Sequence, residues 1–65
     1  MKFIEVERIL KKDGWILVRS TGSHFQYKKE GVDFVATIPR HGSKDLSIGV
    51  LNNLEKGTSL SIKHR

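Results

Sequence analysis

"TGSHFQYKK", Thr21 to Lys29, opens on a small polar break and runs into strict alternation. Phe25 and Tyr27 fall on one side of an extended chain, and His24, Gln26 and Lys28 on the other. Such a strand buries one face and leaves the other in water, which defines a two-sided sheet. Working outward, "WILVR", Trp15 to Arg19, is rich in β-branched and aromatic residues and predicts a strand, with "STGS" breaking it. "EGV" predicts a hairpin turn around Gly31, and "VDFVATI", Val32 to Ile38, a third strand ended by Pro39.

Helices flank the three strands. Phe3, Val6, Ile9 and Leu10 recur at helical spacing, with Ile4 beside them. Glu7 and Lys11 stand four apart in the favourable order. Lys11 and Lys12 complement the helix dipole in the last turn, and Gly14 suits a left-handed cap. The first helix is expected over residues 2–13. Ser47 suits an N-cap, Ile48, Leu51 and Leu54 with Val50 supply an apolar side, and Gly57 reads as a stop. The tail from residue 58 stays open between a strand and a short helical turn. The fold class is α+β, helix–strand–strand–strand–helix, with a three-stranded antiparallel meander. Two amphipathic helices share a core with one small sheet only from the same sheet face. The opposite face, with His24, Gln26 and Lys28, is left open.

Sixty-five residues predict a single domain over 1–65, since a chain of this size buries only about 60% of its unfolded surface. The absence of cysteine excludes disulfides and thiolate metal sites. The longest apolar runs are far too short for a membrane span, and Glu5 and Glu7 interrupt the N-terminal apolar pattern, unlike a secretory signal. A soluble, cytoplasmic protein is expected. Twelve Lys and Arg against seven Asp and Glu give a net charge of +5, which favours an anionic partner. RNA, DNA and an acidic protein all fit.

The inventory of reactive groups is short. His24, His41 and His64 have no ligand-type spacing, so no metal and no cofactor is expected. Glu30 and Asp33 flank a turn, and no phosphate-loop pattern occurs. His24 is left at the start of a strand on an open, basic face. Imidazole is a general acid or base worth typically ~10² to 10⁴-fold. RNA suits so small a site, because its 2′-hydroxyl is a built-in nucleophile. A base removes the 2′ proton, and Lys or Arg stabilises charge on the phosphorane oxygens, giving a 2′,3′-cyclic phosphate and a 5′-hydroxyl. Spacing and charge alone leave a second reading open, in which His24 is a solvated or phosphate-contacting strand residue. Trp15, Phe25, Tyr27 and Phe34 could stack on bases but fit the core of so small a domain better.

Five elements in order carry a resemblance. They are Gly14-Trp15, then Gly22-Ser23-His24, then Thr37-Ile38-Pro39-Arg40-His41, then Lys44-Asp45-Leu46, then Gly49. From the first helix to about Gly57 the chain resembles the HicA toxins of HicA–HicB toxin–antitoxin modules. The resemblance implies a fold like the double-stranded RNA-binding domain and metal-independent mRNA cleavage that arrests translation. It implies that His24 is catalytic and that Gly22 and Ser23 form the loop presenting it. It further implies a HicB-type antitoxin that covers the active face, with the toxin monomeric when free and hetero-oligomeric with its antitoxin. Lys28, on His24's face, reads as the nearest phosphate contact, with Arg40, His41 and Lys44 as further candidates. His41 is the chemical candidate for a second proton-transfer group, or a structural residue at a strand end. Two positions depart from the family pattern: Phe25 stands where many members carry a second histidine, and Val50 where they carry threonine. The rival readings are a non-catalytic RNA-binding module and a degenerate toxin that only binds its antitoxin.

Overall fold

The computed structural model describes residues 1–42 and 44–63. The elements are α1 (Phe3–Lys12), β1 (Ile16–Thr21), β2 (His24–Lys28), β3 (Ala36–Pro39) and α2 (Ile48–Thr58). The three strands form one antiparallel sheet in the order β1-β2-β3. This is the expected α+β arrangement. His64, read from sequence as a surface histidine, lies outside the described residues.

Local chemistry explains both helices. Glu5 accepts the Lys2 backbone N–H at 2.8 Å, which starts α1 with a carboxylate at the positive end of its dipole. At the far end the Gly14 N–H reaches the Lys11 carbonyl and the Trp15 N–H reaches the Leu10 carbonyl. Together with φ of +100° at Gly14, these bonds make a Schellman motif, closed by buried Leu10 and Trp15. In α2 the Ser47 hydroxyl accepts the Val50 N–H at 3.2 Å, as a capping serine should.

Phe3, Val6 and Leu10 of α1 and Leu51 and Leu54 of α2 pack on Tyr27, Ala36 and Ile38 from one side of the sheet. Each Val, Leu, Ile or Phe among them contributes roughly 1.5–3 kcal/mol by leaving water. The Tyr27 hydroxyl donates to Glu7 of α1, which also pairs with Lys11 at 3.6 Å. Burial first, then the bond to Glu7 and its charge, push the Tyr27 phenol above its ordinary range. The hydroxyl is held as a donor tying helix to strand.

Several boundaries differ from the sequence reading. β1 runs on to Thr21, which shrinks the break after it to Gly22-Ser23. The expected third strand over 32–38 makes ladder bonds only from Ala36 onward. The chain turns over residues 29–32 just before it: the Val32 N–H bonds to the Lys29 carbonyl, with φ of +82° at Gly31 as in a type II turn. Ile48 is 65% exposed, because Leu46 takes the core position at the helix entry. Leu46 and Leu51 occupy the two positions of a hydrophobic staple, and both are buried. Gly57 does not stop α2. The left-handed residue is Ser59, φ 63°, and the chain then returns so that Ile62 is fully buried.

Candidate active face of the sheet

The Gly22-Ser23 turn joins Thr21 to His24, which face each other across the β1–β2 ladder. Gly22 has φ of +57° while Ser23 does not enter positive φ, the pattern of a type II′ hairpin turn with glycine at its first central position. A side chain at Gly22 would meet open space, so glycine is required there by backbone conformation alone. The Ser23 carbonyl accepts the Arg40 N–H at 2.6 Å, which fastens the turn to the end of β3. The loop that presents His24 is therefore held from both sides.

His24 itself is exposed, opposite Thr21 on one side and Pro39 on the other. Directly paired residues share a sheet face. The face of His24 thus carries Pro39 and Thr21, then Thr37, Gln26 and Arg19, then Lys28 and Ile16. Its charged groups are the cations Arg19 and Lys28, with no carboxylate at these positions. Phe25 and Tyr27 lie on the opposite face as expected, with the Phe25 ring against Phe3 at a centroid separation of 5.1 Å. Beyond Lys28 a groove of about 470 Å³ lies between Ile16, Val18 and the 29–33 turn.

The other expected phosphate contacts are placed unequally. Lys28 shares the face of His24 but sits four residues along the strand, about 13 Å away at ~3.3 Å per residue. Arg40 follows Pro39 and points the other way. Its guanidinium lies 5.1 Å from the Phe3 ring centre and 5.7 Å from that of Phe25. Such cation–π contact is worth about 0.5–1 kcal/mol at an exposed site. It puts the charge of Arg40 on the helix side, beside Lys2 and Ile4. His41 and Lys44 are both exposed in the loop before α2, joined by a Lys44 N–H bond to the His41 carbonyl at 3.3 Å.

Arg19 escaped the sequence reading. Simple alternation from buried Trp15 through Leu17 sends it inward with them. The ladder instead slips between Leu17 and Arg19: Leu17 pairs with Tyr27, Arg19 with Gln26, and Val18 is the extra residue. This bulge turns Arg19 onto the face of His24. The signal was present, because a charged residue at an inward-reading position marks a break in register.

Among the described residues no three His, Asp or Glu side chains gather as a metal site, and no helix is long and apolar enough to cross a membrane. The family model described as "HicA toxin of bacterial toxin-antitoxin" matches residues 4–60, most of the chain. No curated protein matches it.

Proposed function

Because the chain belongs to the HicA toxin family, and is thus the toxin of a toxin–antitoxin pair, we propose that it is a metal-independent endoribonuclease with His24 as its proton-transfer group. The observation that carries this reading is the position of His24. It is exposed at the head of β2, on the face the helices leave open, at a turn pinned by glycine conformation and the Arg40 N–H.

The step needs only RNA, water and the side chains. His24 takes the proton of a 2′-hydroxyl as its oxygen bonds to the adjacent phosphorus. The bond from phosphorus to the 5′-oxygen breaks, and that oxygen leaves with a proton from water. The products are a 2′,3′-cyclic phosphate and a 5′-hydroxyl end. Gly22 and Ser23 hold the imidazole in place, and Lys28 receives a flanking phosphate about two nucleotides along. Lys44 adds a further cation beside the exposed His41, while Arg40 acts through its backbone on the turn. A HicB-type antitoxin neutralises the toxin by covering this face.

The test is RNA cleavage and growth arrest by wild type and by His24→Ala. Removing a general base is expected to slow cleavage by roughly 10² to 10⁴-fold and to abolish growth arrest. An alanine variant that cuts as fast as wild type sinks the mechanism. RNA binding without cleavage by either protein leaves the non-catalytic module standing.

A further inference from the structure

We infer that Arg19 grips the scissile phosphate beside His24 and stabilises the charge that develops on it, an assignment that rests on the endoribonuclease reading above. Three observations carry it. The bulge at Leu17–Arg19 is what brings the side chain onto the open face. Arg19 pairs with Gln26, one step from the Thr21–His24 pair, so it is a diagonal neighbour of the histidine. Diagonal neighbours in an antiparallel sheet stand about 7–8 Å apart, within reach of a long side chain. Arg19 is also exposed and makes no ion pair among the described residues, so its guanidinium is not committed elsewhere.

The chemistry fits the position. In the attack of the 2′-oxygen, negative charge grows on the two non-bridging oxygens of phosphorus. A guanidinium offers two parallel N–H donors to such a pair, shorter and stronger than neutral hydrogen bonds. Lys28, about 13 Å down the strand, is too distant to meet the same phosphate that His24 serves. The face then divides its work: His24 moves the proton, Arg19 holds the reacting phosphate, and Lys28 holds a neighbouring one. A bulge costs ladder bonds at a sheet edge, and re-aiming a side chain into a reactive site is a recurrent use of one.

The experiment is single-turnover and steady-state cleavage of one end-labelled RNA by wild type, Arg19→Ala, Arg19→Lys, Arg8→Ala and His24→Ala. Arg8 is an exposed cation of α1 and controls for net charge. Circular dichroism melts verify that each variant is folded. Loss of one donor to a developing oxyanion is worth about 10² to 10³-fold. Arg19→Ala should lower kcat by at least 100-fold with KM changed less than threefold, Arg19→Lys should recover only part of it, and Arg8→Ala should resemble wild type. Sulfur in place of a non-bridging oxygen should slow wild type more than Arg19→Ala. A kcat unchanged by Arg19→Ala, while His24→Ala is dead, overturns the role of Arg19 and leaves the endoribonuclease reading intact. So does an arginine variant that only raises KM, or one that weakens antitoxin binding alone. If wild type does not cleave, or His24→Ala cleaves normally, both fall together.

Discussion

Gly57 lies in the last turn of α2, where propensity alone would favour alanine by about 1 kcal/mol. The structure reverses that preference. A Cβ at Gly57 would run into the ring of Phe34. To admit it the half-buried ring must leave its edge-on contact with the buried Trp15, at 6.4 Å between centroids. Gly57→Ala is therefore expected to destabilise by about 1–3 kcal/mol, the range for overpacking. Gly49→Ala is the matched control: its Cβ would meet only the Ser47 hydroxyl at an ordinary 3.9 Å, so that variant should gain up to about 1 kcal/mol. Urea denaturation of both reports the signs. Equal effects would show that Phe34 does not hold this position. The same comparison explains a misreading of the sequence, because glycine near a helix end usually marks the cap. Here the cap is Ser59, and Gly57 makes room for a ring donated by the segment before β3.

The elements are tied together by a few side chains whose partners are distant in sequence. The C-terminal tail depends on Glu55. Its carboxylate accepts the backbone N–H groups of Ile62 at 2.7 Å and Lys63 at 2.8 Å, and pairs with the Lys63 ammonium at 3.4 Å. The backbone bond from Lys63, followed by that from Ile62 and the contacts of the Lys63 side chain, holds the Glu55 carboxyl below its ordinary range, against the opposing effect of desolvation. A lowered carboxyl stabilises the fold above its unfolded value of about 4.3. That contribution is lost as pH falls through the lower folded value, because the native carboxylate must then be protonated. Glu55→Gln should thus melt below wild type at pH 7, with the gap closing as the pH is lowered towards 3. Parallel melting curves across that range would show that the charge of Glu55 does not secure the tail. Amphipathic spacing revealed α1 and α2 directly. The tail was opaque because two apolar residues in a polar stretch fix no period, and the burial of Ile62 and its backbone bond to Glu55 exist only in the folded chain.

Across the whole molecule, charge and sheet face act together. The chain carries a net +5, and the open face presents Arg19 and Lys28 with no opposing carboxylate among its paired positions. RNA bound there should release counterions in proportion to the phosphates it neutralises. His24→Ala, which does not consume the ligand, allows the equilibrium to be measured by fluorescence anisotropy. Contact with roughly three to four phosphates gives a slope of log affinity against log salt of about −2 to −3, and adding Lys28→Ala should flatten it by about 0.7. A slope near zero would remove electrostatics as the source of binding.

Period and punctuation in the amino-acid sequence were enough for the helix–strand–strand–strand–helix order, for the division of β2 into a core side and a wet side, and for the place of His24 at its head. These are local properties: a strand repeats every two residues and a helix every 3.6, and glycine and serine mark where each ends. The facing of Arg19, the turning away of Arg40 and the burial of Ile62 were decided only in three dimensions. A one-residue slip in a ladder reverses every side chain beyond it, and a slip is defined by the partner strand, which no local pattern contains. That non-local pairing sets two cations, rather than one, beside the histidine's face.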